Sequence, residues 1–309
     1  MSEDIKSIDF LKLRFIAGIL SIVLMVGSVA SLFVNGLNLG LDFTGGTLIE
    51  LGFEQPAQLP KIRAKLSDMG HDGAIVVNYG SEREVLVRLP PSDSASIGQE
   101  IADSLDEEGD GTTLRRVEFM GPAMGDELRD EGGLAVITAL LMVLIYVSIR
   151  FQWKLSLGAV AALFHDVLIT LGAFSLFQWE FDLTVLAAFL ALIGYSINDT
   201  IVVYDRIREN FRKMRKTERI EICNVSLTQT LGRTIMTSGT TLAVVFALQF
   251  FGGELIHGFA LTLSVGIIIG TYSSIYVASN LALLLGLDRQ DLMLPVREDQ
   301  GDTPTIESL

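Results

Sequence analysis

The chain has 309 residues, of which 50% are hydrophobic and 19% charged, with a mean hydropathy of +0.46 and a formal charge of −14. That is too apolar for a soluble protein of this length, and an acidic balance does not attract nucleic acid; what remains is a polytopic membrane protein. The single cysteine, Cys223, leaves no disulfide framework, and no Cys/His set has the spacing of a metal site.

Six apolar runs are long enough to cross a bilayer: Phe15–Val34, Gly133–Ile149, Leu155–Phe177, Leu183–Tyr204, Thr234–Phe251 and Phe259–Leu285. Ser28-Val29-Ala30 in the first mimics a signal-peptide cleavage site, but the run is longer than the usual apolar region of such a peptide, so it reads as an uncleaved anchor. Lys6, Lys12 and Arg14 precede span one, Arg150 and Lys154 join spans two and three, and a basic tract from Arg206 to Arg219 with Arg233 lies between spans four and five. The links 178–182 and 252–258 carry no Lys or Arg, so the positive-inside rule places both termini of a multi-pass membrane protein in the cytoplasm. Residues 205–233 are expected to form a basic loop with an amphipathic surface helix against anionic lipid, followed by the entry to span five. Residues 286–309 are expected to form a disordered tail.

The one large outside tract, residues 35–132, holds eight Lys/Arg against nineteen Asp/Glu. It opens on the glycine-dense turn Leu39-Gly40-Leu41-Asp42-Phe43-Thr44-Gly45-Gly46. Strand-like Thr47–Phe53 follows, then Leu59, Ile62, Leu66 and Met69 at helical spacing, and a hairpin of 74–79 and 84–89 about Gly80-Ser81. Helical Ile97, Ile101 and Leu105 and the strand Thr113–Phe119 complete the order βαββαβ, a small α+β ferredoxin-like domain between helices 1 and 2 of a six-helix membrane protein. The tract has no nucleophile, metal cluster or phosphate loop and reads as a contact or lever module. A connector around Pro122 returns the chain to the membrane.

The chemistry lies inside the spans. Asp199 sits about a turn and a half within span four, where an ionisable group costs roughly 2.5–3.5 kcal/mol on insertion scales. Ion handling and helix-packing glue are both open for it, as are a proton relay and mutual satisfaction for His165-Asp166 in span three. Arg233, Thr237 and Thr240 or Thr241 form a polar stripe on span five, and Arg233 is at a depth to pair with Asp199 or to snorkel to headgroups. Gly266, Gly270, Thr271, Ser273 and Ser274 in span six read as small residues for close helix approach.

The glycine-dense turn, His165-Asp166-Val167, the run Ile193-Gly194-Tyr195-Ser196-Ile197-Asn198-Asp199-Thr200 continuing to Asn210, and Thr230-Leu231-Gly232-Arg233-Thr234 with Thr237–Thr241 closely resemble the SecF members of the SecD–SecF protein-export family. The resemblance implies one six-span half of a resistance–nodulation–division unit, with SecD supplying the other half and YajC and the SecYEG translocon as further partners. It implies a non-enzymatic subunit, without a cofactor, that uses transported protons or sodium ions to help move an exported polypeptide. The family's intramembrane Asp and Arg fall on Asp199 and Arg233. Ser196, Asn198, His165, Asp166 and Thr237 join them as pathway candidates, and Gly40, Asp42, Phe43, Gly45, Gly46 and Gly194 serve as motif positions. A half-unit exporter of lipids or small molecules is the alternative within the superfamily. An intramembrane aspartyl protease would use Asp166 and Asp199, but Asp199 follows Ser196-Ile197-Asn198 where that class has Gly-x-Gly.

Overall fold

A computed structural model describes residues 7–90, 97–106, 111–214 and 216–292. After a 3₁₀ turn at Phe10–Leu13 come α1 (Arg14–Val34), β1 (Asn38–Leu39) and α2 (Leu41–Thr44). The outside domain is β2 (Gly46–Gly52), α3 (Leu59–Asp68), β3 (Ile75–Tyr79), β4 (Ser81–Leu89), α4 (Ile97–Asp106) and β5 (Thr113–Met120). The membrane part continues with α5 (Pro122–Arg150), α6 (Trp153–Phe177), β6 (Glu180–Phe181), α7 (Leu183–Lys213) and α8 (Arg219–Phe251). It ends with α9 (His257–Ser273), a π-helical turn (Ser274–Ala278), α10 (Ser279–Leu284) and α11 (Arg289–Leu292).

The domain sheet has the order β3-β4-β2-β5 with every neighbour antiparallel, as the βαββαβ reading requires. Alternation along the strands turns Ile49, Leu51, Val85 and Val87 toward α3 and α4, where they pack on Ile62, Leu66, Ile101 and Leu105. Gly80, at φ +73°, makes the tight reversal between β3 and β4.

Six helices, with α9, the π turn and α10 counted as one, are long and apolar enough to span a membrane. The helices α6, α7 and α9 bury about half of their most apolar stretch, whereas α5 buries 11% of its own and α1 22%. The first three form the packed centre, and the outward faces of α1 and α5 meet the surroundings.

Three expectations need correction. The connector around Pro122 is not a turn: α5 begins at Pro122, whose missing N–H and fixed φ suit a first helical position, so residues 122–132 extend the span outward. Residues 205–233 are not a loop. α7 runs on to Lys213 and α8 starts at Arg219, because ion pairs Arg206–Glu209 (2.8 Å) and Lys213–Glu209 (2.5 Å) support the first extension. Asn210 ties the two extensions together through Ser226 and Gln229, over buried Phe211, Ile222 and Cys223. Nor is the start of the tail loose: Lys154 pairs with Asp291 at 2.6 Å, Arg212 Nε donates to Leu292 O, and Leu292 is buried. Arg215 and residues 293–309 of that expected tail lie outside the described residues.

Candidate functional site

The outer end of α7 is fastened by the glycine-dense motif. Asp182 is the N-cap, its Oδ1 accepting from Val185 N at 2.7 Å, and Asp42 Oδ2 accepts from Leu183 N at 2.9 Å, so two carboxylates meet the positive end of this 31-residue helix. β1 pairs in parallel with β6, and Gly40 N donates to Phe181 O at 2.8 Å. A Cβ on Gly40 would lie 3.0 Å from that of Asp182. Phe43 packs with Phe174, Phe181 and Phe189. Gly45 (φ +67°) and Gly46 (φ +126°) then turn the chain into β2, and a Cβ on Gly46 would come 2.4 Å from Leu89 O. From β4, Arg88 reaches back to Leu39 O (2.9 Å), Thr44 Oγ1 (2.6 Å) and Glu180 (3.6 Å). Partial burial holds the Glu180 carboxyl above its ordinary pKa, opposed by Arg88 and reinforced by Asp182 and Asp42.

Further along α7, two carboxylates occupy the packed centre in different company. Asp166, on α6, is fully buried. Its Oδ1 lies 2.9 Å from His165 Nδ1, and its Oδ2 accepts from Ser196 (2.5 Å) on α7 and Ser273 (2.7 Å) on α9. His165 Nε2 continues to Ser21 on α1 (3.2 Å), and Ser21 to Tyr272 (3.1 Å). Three donors satisfy a carboxylate that would otherwise be untenable at this depth, and they bind four helices into one network. Asp199 is only half-buried. Its Oδ1 accepts from Thr234 on α8 (2.7 Å) and its Oδ2 from Ser274 in the π turn (2.5 Å).

The expected Asp199–Arg233 pair is not formed. Successive helical residues are turned by about 100°, so presenting Thr234 to α7 directs Arg233 away, and its side chain is exposed. Thr237 and Thr240 share that outer face and spend their hydroxyls on their own helix, on Arg233 O and Met236 O. Asn198 is also exposed; Ser196 belongs to Asp166 and not to Asp199. Gly194 meets no neighbour that a Cβ would strike. Thr234, quoted only within a motif, and Ser273 and Ser274, read as small packing residues, are the carboxylates' partners that the sequence reading did not single out. Their depths in spans five and six, close to those of the two carboxylates, are the signal that would have found them. Among the described residues no cluster of His, Cys, Asp and Glu is arranged to hold a metal.

Fold and site together define a six-span membrane protein whose outside domain is fastened to a helix carrying a half-buried carboxylate. Residues 100–288 match the model of the SecD/SecF protein export membrane protein C-terminal family, and residues 30–57 match the SecD/SecF GG motif. The chain is 55% identical over 96% of its length to the protein translocase subunit SecF of Vibrio alginolyticus, covering 95% of that protein. It is 49% identical over 98% of its length to that of Pseudomonas aeruginosa, covering 99%. The crystal structure of SecDF from Thermus thermophilus, a translocon-associated membrane protein, superposes with a TM-score of 0.84 at 38% identity, over 93% of this chain and 40% of that one. The chain belongs to the SecF family of protein translocase subunits.

Proposed function

We propose that this chain is the SecF half of an ion-gradient-driven machine that assists Sec protein export, with Asp199 as the group whose occupancy changes. A role in Sec export follows from family membership. The coupling reading rests on one observation: a carboxylate within a membrane helix is held by two neutral hydroxyls, Thr234 and Ser274, and by no cation among the described residues. Hydroxyls suit either state, donating to the anion and, as Ser274 can toward Thr271 O, turning elsewhere when the acid is neutral, so a proton or sodium ion exchanges there without leaving a donor unsatisfied. Asp166, with His165 and two serines, is the better-sealed neighbour that fixes the helices about it.

The outer face of α8 supports a partner half. Arg233 is exposed there in company with Gly232 and Gly239, where an added Cβ would meet no neighbour, and a cation facing hydrocarbon is costly. SecD provides the covering helices and a carboxylate for Arg233, in keeping with the SecDF chain of which this sequence spans 40%. On this reading both termini lie in the cytoplasm, which the arginine-rich ends of α7 and α8 support, and the acidic outside domain faces the emerging polypeptide, with SecYEG and YajC as neighbours. Motion reaches that domain through the capped, aromatic-packed end of α7. The test is export driven by imposed proton or sodium gradients in vesicles holding SecD, this chain and the translocase. Asp199→Asn is expected to remove the gradient-dependent part at unchanged complex yield. Full stimulation by the variant under both gradients rules the reading out.

A further inference from the structure

We infer that the π turn Ser274–Ala278 is the element that reads the occupancy of Asp199, with Ser274 and Tyr204 as the positioning residues that hold it; the inference rests on the ion-coupling reading above. π turns are rare, are less favourable than the α-helix on either side, and persist where their surroundings hold them. Here α7 grips the turn at both ends. Ser274 Oγ reaches Asp199 Oδ2 at 2.5 Å, and the buried Tyr204 hydroxyl donates to Ala278 O at 2.9 Å. Asp199 and Tyr204 are five residues apart on one rigid helix, so their spacing acts as a template for the turn. Gly158 on α6 makes room for the second grip: a Cβ there would lie 2.3 Å from the Tyr204 hydroxyl and 3.1 Å from Ala278 O.

The first grip depends on charge. Ser274 has one hydroxyl hydrogen and two acceptors, Asp199 Oδ2 and Thr271 O at 3.1 Å. An ionised Asp199 takes that hydrogen in a charge-assisted bond, whereas a neutralised one competes poorly and the hydrogen turns to Thr271 O. With that end released, the extra residue of the π turn is free to move along the helix, carrying α10 with it. Ser273, the preceding residue, has the same choice between Asp166 Oδ2 and Gly270 O at 3.1 Å, but Asp166 keeps His165 and Ser196 whatever Ser273 does. The two serines thus face a fixed carboxylate and an exchangeable one. Tyr276 within the turn adjoins Tyr272 at 5.3 Å, Tyr272 stacks on His165 at 6.1 Å, and Arg233 on α8 is exposed.

The experiment is hydrogen exchange, read by mass spectrometry on the full chain with SecD in nanodiscs, together with the pH profile of gradient-driven export. Asp199→Asn and Ser274→Ala are each expected to raise exchange of the 271–284 segment severalfold, with no further rise in the double variant. Tyr204→Phe, which preserves volume, should raise it from the other end. Ser274→Ala should also move the midpoint of the pH profile of export, whereas Ser274→Thr, which keeps the hydroxyl, should leave it in place. Unchanged exchange or an unmoved midpoint in Ser274→Ala, or additive effects in the double variant, overturns the inference while leaving an essential Asp199 in place. Gradient-driven export that survives Asp199→Asn overturns the ion reading and this inference together.

Discussion

The two halves of α7 are held by opposite kinds of interaction. Its outer end is locked by backbone caps from Asp42 and Asp182, by Gly40 against Asp182, and by four packed phenylalanines. Its centre is held by hydroxyls, Ser196 to Asp166, and Thr234 and Ser274 to Asp199. Packed aromatics and capped backbone have one good arrangement, whereas a hydroxyl has several at similar energy. The difference separates a part that transmits displacement from a part that can change state.

The largest separation between the two halves is expected from Gly46→Ala. Its φ of +126° and the 2.4 Å approach to Leu89 O leave no room for a Cβ, and the strain is about 3 kcal/mol before any clash is counted. Thermal unfolding should show the outside domain loosened from the bundle, with the Asp166 network unaltered. If the bundle melts as early as the domain does, the two halves are one cooperative unit. Asp166→Ala follows at about 2 kcal/mol: it deprives Ser196 and His165 of a buried acceptor, while Ser273 retains Gly270 O. Its effect should appear as weakened packing of α6, α7 and α9 in denaturant titration, with an intact attachment of the outside domain.

The smallest effect belongs to Glu180. Its raised pKa means that the folded chain binds this proton more tightly than the unfolded one does. The associated stability is full below the ordinary carboxylate range and is lost as pH rises through the raised value. Glu180→Gln is expected to flatten that loss, so that stability falls less between mildly acidic and neutral pH. An unchanged pH dependence of unfolding would show that Arg88 offsets the burial of Glu180 completely.

Much of this was legible in the residues. The period-2 runs and the glycine at 80 gave the βαββαβ domain, because alternation across a half-covered sheet leaves a direct mark on sequence. The apolar runs located the spans, and the depths of Asp166 and Asp199 marked both as costly groups. Helix ends were less legible: hydropathy falls at a membrane boundary while the hydrogen-bonded backbone does not, so α7 and α8 continue beyond their apolar parts. The partner of Asp199 was misread because depth alone cannot fix rotation about a helix axis, and one residue of phase separates Arg233 from Thr234. The Ser273-Ser274 pair looked like packing filler, since serine serves that role as often as it serves as a donor.

The outward Arg233 also bears on the lifetime of the chain. Inserted alone, the chain would present a guanidinium on the outer face of a spanning helix, a costly arrangement. If SecD covers that face, as proposed, Arg233 is exposed only in the unassembled chain, so the abundance of this subunit is expected to follow that of its partner.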